Sequence, residues 1–260
     1  MMRIYLSLLF IGLWTNADTG VYIQEEETIR KWSYEGENGP ESWGKLDLGF
    51  QYCAIGKLQS PVNIEFSKVN KEARPDLLKI RYQPGLAAVE NDGHTVHVHV
   101  RQEQNRILID GEEYFLHNFH FHTPAEHEFN GNRYPMEMHL VHKNGTGDIA
   151  VIGVMITEGK VNPALKDIWQ QLPTNKTEHS IPVSKPVEMR QLLPENPAFF
   201  HYTGSLTTPP CTENVKWFVF REPVQMSKKQ IEAFRTIFPN NHRPVQPLHG
   251  RRIWKGKTAE

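Results

Sequence analysis

Three histidines in two alternating segments have the residue types and the spacing of a metal site. In residues 119–122 phenylalanine and histidine alternate, so on a β-strand His120 and His122 would lie on one face, about 7 Å apart at Cα, with both phenyl rings on the other. Residues 137–142 alternate as well, and turn-forming residues separate the two segments. His139 can therefore lie on a neighbouring strand and complete a three-histidine site.

Such a trio indicates catalytic zinc, because three neutral imidazoles leave the fourth coordination position to water, whereas a structural site usually adds another protein ligand. A pair of exposed strand histidines is the simplest alternative for His120 and His122. A second alternative is a cupin-type metal oxygenase, since His120, His122 and Glu126 also match its iron- or manganese-binding pattern. The glycine–proline context expected before the last histidine of that pattern is missing at His139.

The elements that must position these residues are mainly strands. Six segments mix β-branched or aromatic residues, often with a period of two, and they are 95–101, 106–109, 114–122, 136–142, 148–157 and 215–220. Only residues 162–172 and a run capped by Ser227 have the apolar spacing of helices. His117 and His142 have the wrong parity for the metal-facing side and are predicted to be packing or surface histidines. The pattern favours one mainly β domain with short peripheral helices.

Composition and charge exclude several classes of protein. The 260 residues are 38% hydrophobic and 23% charged, which is typical of a globular chain and not of a disordered, collagenous or coiled-coil one. The formal net charge of -1 leaves no excess positive field to hold a polyanion or an anionic membrane. We therefore expect no nucleic-acid partner. The polar C-terminus lacks the hydrophobic tail of an anchor signal, so we also expect no membrane anchor.

The N-terminus has the residue order of a secretory signal peptide. Arg3 precedes the apolar run 4–14 and a short polar stretch, and the run is too short to span a bilayer comfortably. We predict cleavage after Ala17 and a secreted, extracellular protein, with a buried N-terminal strand as the alternative. The predicted boundaries are a signal peptide over 1–17, an N-terminal arm over 18–31, a domain over 32–254 and a polar C-terminal tail over 255–260.

Two further features bear on a secreted chain. Cys53 and Cys211 are its only cysteines, and in an oxidising compartment a lone pair is most simply one disulfide. A reactive thiol at Cys211 is the alternative. Asn144 and Asn175 each begin an Asn-x-Thr triplet, so each is a glycosylation acceptor if it faces outward.

From Trp32 to Trp254 the sequence resembles the alpha-class carbonic anhydrases, in their secreted, single-disulfide form. The segments that carry the resemblance are Trp32-Ser33-Tyr34, Asn38-Gly39-Pro40-Glu41, Gln59-Ser60-Pro61-Val62-Asn63-Ile64, Phe119-His120-Phe121-His122, Ala125-Glu126-His127, Glu137-Met138-His139-Leu140-Val141-His142 and Tyr202-Thr203-Gly204-Ser205-Leu206-Thr207-Thr208-Pro209-Pro210. The resemblance implies a large, twisted, mostly antiparallel central sheet and a zinc ion on His120, His122 and His139. It also implies reversible hydration of carbon dioxide to bicarbonate and a proton by zinc-bound hydroxide, with a side esterase activity.

The resemblance implies catalytic roles for residues that would otherwise be unremarked. Thr207 would orient the attacking hydroxide and donate its own proton to Glu126. His94 would shuttle the released proton to solvent, and Tyr34 would anchor the intervening water.

Around the metal, the resemblance implies that Asn118 and Glu137 accept the free N–H groups of His120 and His139. The family more often has glutamine at the position of Asn118, so that hydrogen bond is one methylene short. The pocket that receives carbon dioxide would be formed by Val141, Val151, Leu206 and Trp217, with Thr208 and Tyr34.

Two departures from the family pattern suggest additional chemistry. Asp92 stands where asparagine is common, and a carboxylate beside His94 should favour the protonated imidazole. His97 and His99 share one strand face, which the resemblance turns toward the cavity. We hypothesise that they are auxiliary proton acceptors or an inhibitory second metal site, against the alternative of two solvated histidines.

A secreted, non-catalytic binding or matrix protein on the same fold is the remaining alternative. No zinc-binding histidine is lost here, which favours the enzyme. The expected partner is a small molecule, carbon dioxide or bicarbonate, and the expected state is a monomer or weak homodimer because no exposed apolar stripe is evident.

Overall fold

A computed structural model of the protein describes residues 31–71, 77–100 and 104–259. The predicted signal peptide, and the predicted arm as far as residue 30, lie outside the described residues. Among the helices of the described ranges, none combines the length and the apolar character needed to cross a membrane.

The described residues form one twelve-stranded sheet and a small two-stranded one. The strands are β1 (Asn63–Ile64), β2 (Asn70–Lys71), β3 (Leu78–Arg81), β4 (Ala87–Asn91), β5 (Val96–Val100), β6 (Arg106–Ile109), β7 (Glu112–His122), β8 (Glu128–Phe129), β9 (Met136–Lys143), β10 (Ile149–Glu158), β11 (Ile181–Pro182), β12 (Ala198–Ser205), β13 (Glu213–Met226) and β14 (Trp254–Lys257). The large sheet runs in the order β11-β4-β5-β7-β9-β10-β13-β12-β14-β2, with β6 joining β3 to β7. Its pairs are antiparallel except β10 with β13 and β14 with β2, so the predicted mainly β, mostly antiparallel sheet is confirmed.

The helices are short and peripheral. They are α1 (Trp43–Leu46), α2 (Tyr52–Ile55), α3 (Lys166–Gln170) and α4 (Lys228–Ile237), with single 3₁₀ turns at Gly36–Asn38, Leu48–Phe50, Phe66–Lys68, Pro163–Leu165 and Met189–Leu192. Ser227 caps α4 in a capping box with Gln230, as its sequence predicts. The helix predicted over 162–172 is only half as long, because it opens as a 3₁₀ turn at Pro163 and Pro173 disfavours helical backbone in the residue before it.

The alternation along β7 decides what each face of the sheet carries. Phe119 and Phe121 are fully buried in the larger apolar cluster, where the Phe121 ring packs edge-on against Trp169 at 4.9 Å. His120 and His122 therefore point to the opposite face, above a second apolar cluster that lies on that side. Burial of one face thus fixes the direction of both imidazoles.

The predicted C-terminal tail is wrong in its first residues. The strand β14 pairs antiparallel with β12 and parallel with β2, so the predicted boundary at Trp254 falls inside a strand of the large sheet.

Cys53 and Cys211 form a disulfide, with Cα atoms 5.1 Å apart, which confirms the predicted pairing and excludes the reactive thiol. Asn144 does not face outward as a glycosylation acceptor must. It is 8% exposed, and its amide nitrogen donates to Glu112 at 2.6 Å and to Asp148 at 3.0 Å. Asn175 is exposed, so only that triplet meets the predicted condition.

Candidate active site

The three predicted ligands converge on one point above the sheet. His120 on β7 lies directly opposite His139 on β9, and His122 follows two residues later on the same face. One nitrogen from each ring lies within 4.8 Å of the other two. The strands therefore place all three histidines on one face of the sheet, as the alternation in the sequence predicts.

Each of the three rings is oriented by a hydrogen bond through its other nitrogen. The pairs are His120 Nδ1 with Asn118 Oδ1 at 3.2 Å, His122 Nδ1 with the Asn241 carbonyl at 2.7 Å, and His139 Nε2 with Glu137 Oε1 at 2.9 Å. The contacts of Asn118 and Glu137 agree with their predicted roles. Asn241 was missed, because its contact uses a backbone oxygen far away in sequence.

The chemistry of this donor set fits a zinc ion. Burial lowers the pKa of His122 to about 4, and burial also lowers the pKa of His120 and of His139. The imidazoles are thus neutral at physiological pH, as zinc ligands must be. The Nε2 atom of His122 is buried and lacks a hydrogen-bond partner among the described residues, which is a polar atom that a metal would satisfy.

The Glu137 carboxylate accepts four hydrogen bonds beneath the metal site. Its Oε2 accepts the backbone N–H groups of Glu126 at 2.9 Å and His127 at 2.8 Å, and its Oε1 accepts from the His127 ring at 2.8 Å as well as from His139. Burial would raise the pKa of this carboxyl, but His127 and His139 hold it well below its usual range. Gly153 makes room for it, since a Cβ there would come within 3.0 Å of Glu137 Oε1.

His127 continues this network into the interior. Its Nε2 lies 2.7 Å from the Tyr202 hydroxyl, which lies 2.8 Å from Ser60 Oγ. All three residues belong to segments that carry the family resemblance, but the spacing of residues along the chain gave no sign that they touch. Together they anchor Glu137 from the side opposite the metal ligands.

Glu126 faces the convergence point of the histidines. Its Oε1 accepts the backbone N–H of Arg243 at 2.8 Å, and its Oε2 lies 3.6 Å from His122 Nε2 and 3.8 Å from His139 Nδ1. Burial raises the pKa of Glu126 to about 7, against the lowering effects of His139, the Arg243 N–H and the Thr207 hydroxyl. Thr207 and Glu126 are therefore neighbours, as predicted, and a cation nearby would favour the carboxylate form.

Arg243 was also missed by sequence reasoning. Its guanidinium is 1% exposed and donates to Gln59 Oε1 and to the carbonyls of Ser60 and Cys53. This side chain therefore joins the disulfide-bearing N-terminal segment to the backbone that positions Glu126.

Four residues of the predicted pocket belong to one apolar cluster on the side of the sheet that carries the histidines. Val151 and Trp217 are buried in the second apolar cluster, and Val141 and Leu206 pack against it partly exposed. The Trp217 ring centroid lies 4.8 Å from that of His139. Thr208 is half-buried, and its carbonyl accepts the N–H of Cys211 at 2.9 Å, which ties this wall to the disulfide.

His94 lies at the rim of the site, stacked on Trp32 with ring centroids 3.7 Å apart and with Tyr34 at 6.5 Å. Asp92 accepts the backbone N–H of His94 at 2.7 Å, so its carboxylate is used on the main chain. Burial lowers the pKa of His94, and the charge of Asp92 only partly offsets this. The charge of Asp92 thus favours protonated His94, as predicted, but burial of the imidazole has the larger effect.

His97 and His99 each pair with a carboxylate on the predicted face. His97 Nε2 lies 3.1 Å from Asp92 Oδ2, and His99 Nε2 lies 2.8 Å from Glu90 Oε2. Burial opposes the charge of His97, but Asp92 and Asn118 raise its pKa. The clusters of three or more metal-ligating groups in the described residues include neither histidine, so the second metal site lacks its ligands. A role as auxiliary proton acceptors stays a prediction.

Comparison with known proteins gives a consistent result. The model of a family described as eukaryotic-type carbonic anhydrase matches residues 38–257. A protein named carbonic anhydrase from Pectobacterium atrosepticum is 42% identical over 223 residues, covering 85% of this chain and 89% of that protein. A carbonic anhydrase from Nostoc is 40% identical over 224 residues, covering 85% and 84%.

Two solved structures share the fold closely. The alpha-carbonic anhydrase from Thermovibrio ammonificans, in complex with the inhibitor sulfanilamide, has a TM-score of 0.83 and 41% identity, covering 86% of this chain and 99% of that one. Dioscorin complexed with ascorbate has a TM-score of 0.82 and 31% identity, covering 88% and 99%. The same sheet thus supports different ligands in different relatives.

Proposed function

Because the chain belongs to the eukaryotic-type carbonic anhydrase family, we propose that it hydrates carbon dioxide reversibly with a zinc ion held by His120, His122 and His139. The observation that carries the zinc site is the buried, unpartnered Nε2 of His122, because leaving such an atom unsatisfied costs about 1–3 kcal/mol. Family membership argues against the cupin alternative, and relatives named carbonic anhydrase at 42% and 40% identity favour the enzyme over a non-catalytic protein on the same fold.

Zinc, when bound, supplies a water acidified to a pKa of about 7, a value established for this class of enzyme. The chain's own residues orient the attack. Thr207 donates its hydroxyl hydrogen to Glu126, so the lone pair of Thr207 Oγ1 is left to accept a hydrogen bond from the nucleophilic oxygen. That contact holds the nucleophile in one orientation toward the substrate, which lowers the entropic part of the activation barrier.

The apolar wall holds the substrate. Carbon dioxide has no net dipole and no hydrogen to donate, so the buried side chains of Val151 and Trp217, with Val141 and Leu206 beside them, suit it better than water does. Bicarbonate is charged, and the same wall disfavours it, which promotes release of the product.

His94 moves the released proton to solvent. Its ring is half-buried at the rim and stacked on Trp32, so it faces both the site and the bulk. Burial lowers the pKa of this imidazole, which makes protonated His94 a stronger acid and speeds the transfer to buffer.

The test is stopped-flow hydration of carbon dioxide by the purified protein, with metal content measured on the same sample. We expect one zinc per chain, proton release that disappears after chelation and returns with zinc, and inhibition by a sulfonamide. Hydrolysis of an activated ester should follow the same zinc dependence. A protein that binds zinc stoichiometrically but shows no hydration would contradict the catalytic proposal, and one that binds no zinc would contradict the metal site.

Secretion is a further part of the proposal. The order of charge, apolar run and small residues in 1–17 is that of a cleaved signal peptide, and disulfides such as Cys53–Cys211 persist in oxidising compartments. Expression in a secretory host should give medium-located protein beginning at Asp18. Retention in the cell with Met1 intact would contradict it.

A further inference from the structure

We propose that His97 is a positioning residue for the metal ligand His120, and that it acts by holding the amide of Asn118 in one orientation. This inference rests on the proposed zinc site. It concerns a residue outside the metal ligands and outside their direct hydrogen-bond partners.

The amide of Asn118 lies between two imidazoles. Its Oδ1 is 3.2 Å from His120 Nδ1 and 3.4 Å from His97 Nδ1. Both distances exceed the usual 2.9–3.0 Å for such bonds, so neither contact alone holds the amide strongly. The ladder between β7 and β9 also shifts register between Leu116 and Asn118, so this side chain leaves the strand at an irregular point.

The chemistry of the amide makes its orientation matter. If His120 gives Nε2 to zinc, its Nδ1 carries the hydrogen and needs an acceptor. The Oδ1 atom of Asn118 accepts, whereas a half-turn about the last bond of that side chain would present an NH₂ group to the same N–H. His97 Nε2 donates to the Asp92 carboxylate, so a ring with hydrogen on both nitrogens also donates from Nδ1 to the same Oδ1. In that form His97 favours the orientation of the amide that His120 requires.

Asp92 holds the other side of the His97 ring. The Nε2 atom of this ring lies 3.1 Å from Asp92 Oδ2, while Asp92 Oδ1 accepts the backbone N–H groups of His94 at 2.7 Å and Thr95 at 2.9 Å. The His97 ring also lies against His120, with centroids 5.1 Å apart. A continuous chain of contacts thus runs from the loop backbone before β5 to the metal ligand.

His99 supplies a matched control on the same strand. It lies two residues further on the same face, stacks on His97 at 5.9 Å and pairs with a carboxylate of its own, Glu90. Its backbone lies opposite that of Asn118 in the pairing of β5 with β7, but its ring is directed to Glu90, whereas the ring of His97 meets the Asn118 amide. If zinc release depended only on an imidazole or a charge on this face, replacing His99 would therefore have the same effect as replacing His97.

The experiment measures how fast zinc leaves the loaded protein to a chromophoric chelator, with zinc content and circular dichroism recorded first. We expect His97→Ala to release zinc about 3- to 10-fold faster, less than the roughly 10- to 100-fold effect of losing a direct partner of a ligand. His97→Asn should stay within about twofold of the unmodified protein, because its amide nitrogen can occupy the place of Nδ1 and donate to Asn118. His99→Ala should release zinc at the unmodified rate.

A double-mutant cycle tests the route. Asn118→Ala removes the amide that connects His97 with His120, so adding His97→Ala to this variant should not change the rate of zinc release further. Equal rates for His97→Ala and the unmodified zinc-loaded protein would overturn the inference, and so would a full additional acceleration in the Asn118→Ala background. If the unmodified protein holds no zinc at the start, the zinc site itself fails, and that result is visible before any variant is compared.

Discussion

His120 and His122 at the floor of the site and His97 nearer its rim lie on the same face of one sheet, but their pKa values shift in opposite directions. Burial lowers the pKa of His120 and His122, whose hydrogen-bond partners are an amide and a carbonyl. At the rim the pKa of His97 is raised, because a carboxylate partner outweighs its partial burial. Burial therefore dominates at the floor, where it lowers the pKa of His139 even beside the Glu137 carboxylate, whereas Asp92 outweighs burial at His97.

The strongest test of this contrast removes a floor histidine. His122→Ala should weaken zinc binding by more than about 100-fold, beyond the range for outer partners of ligands, and should abolish hydration. Equilibrium zinc competition measures it. His117→Ala serves as the control, because His117 lies on the same strand, at the register shift, and outside the group of converging histidines. Equal losses in both variants would contradict the assignment of the ligands.

The next largest effect is expected at the rim. His94→Ala should lower turnover about 100-fold at low buffer concentration, the lower end of what a positioned proton-transfer group contributes, and added imidazole should restore part of it. Zinc content should not change. In the unmodified enzyme the transfer step should titrate below pH 6.5, because burial lowers the pKa of His94. A midpoint above 6.5 would contradict the lowered pKa.

A buried histidine outside the site should make the protein sensitive to acid. Burial lowers the pKa of His142 to about 3, while the unfolded chain protonates near 6.5. The stabilisation is therefore complete above pH 6.5 and is lost as the pH falls toward 3, with a loss of about 2 kcal/mol between pH 7 and 5. Denaturant unfolding should show this slope reduced in His142→Gln, and an unchanged slope would contradict it.

The smallest effect should come from the outer rim. His99 and Glu90 are both more than a third exposed, so His99→Ala should change the free energy of unfolding by between 0 and about 1 kcal/mol. Thermal unfolding at pH 6 measures it. A larger loss would mean that the rim pairs contribute as much as the floor contacts, and the contrast drawn above would not hold.

The strand pattern predicted the part of the site that depends on local parity. The alternation around His120, His122 and His139 placed the ligands, and the same alternation placed Asn118 and Glu137. The contact of Asn241 with His122 spans 119 residues and uses a main-chain oxygen, so no spacing of side-chain types could indicate it. Long-range backbone contacts are fixed by the completed fold.

Other predictions failed for equally physical reasons. Asn144 has the glycosylation triplet, but Glu112 and Asp148 bind its amide in the folded protein. The prediction for Asp92 and His94 left out burial, which lowers the pKa of the imidazole more than the charge of Asp92 raises it. A sequence reveals that a carboxylate is near in the chain, and only the fold reveals which donor it meets.

The contacts of Asn241 and Arg243 have a consequence for biosynthesis. A ribosome makes the chain from the N-terminus, so the three zinc ligands emerge about a hundred residues before the carbonyl that orients His122 and the amide that binds Glu126. The strand β14 follows later still. A nascent chain therefore carries all three ligands before it can orient them, and zinc loading into a finished site must wait until Asn241 and Arg243 have been made.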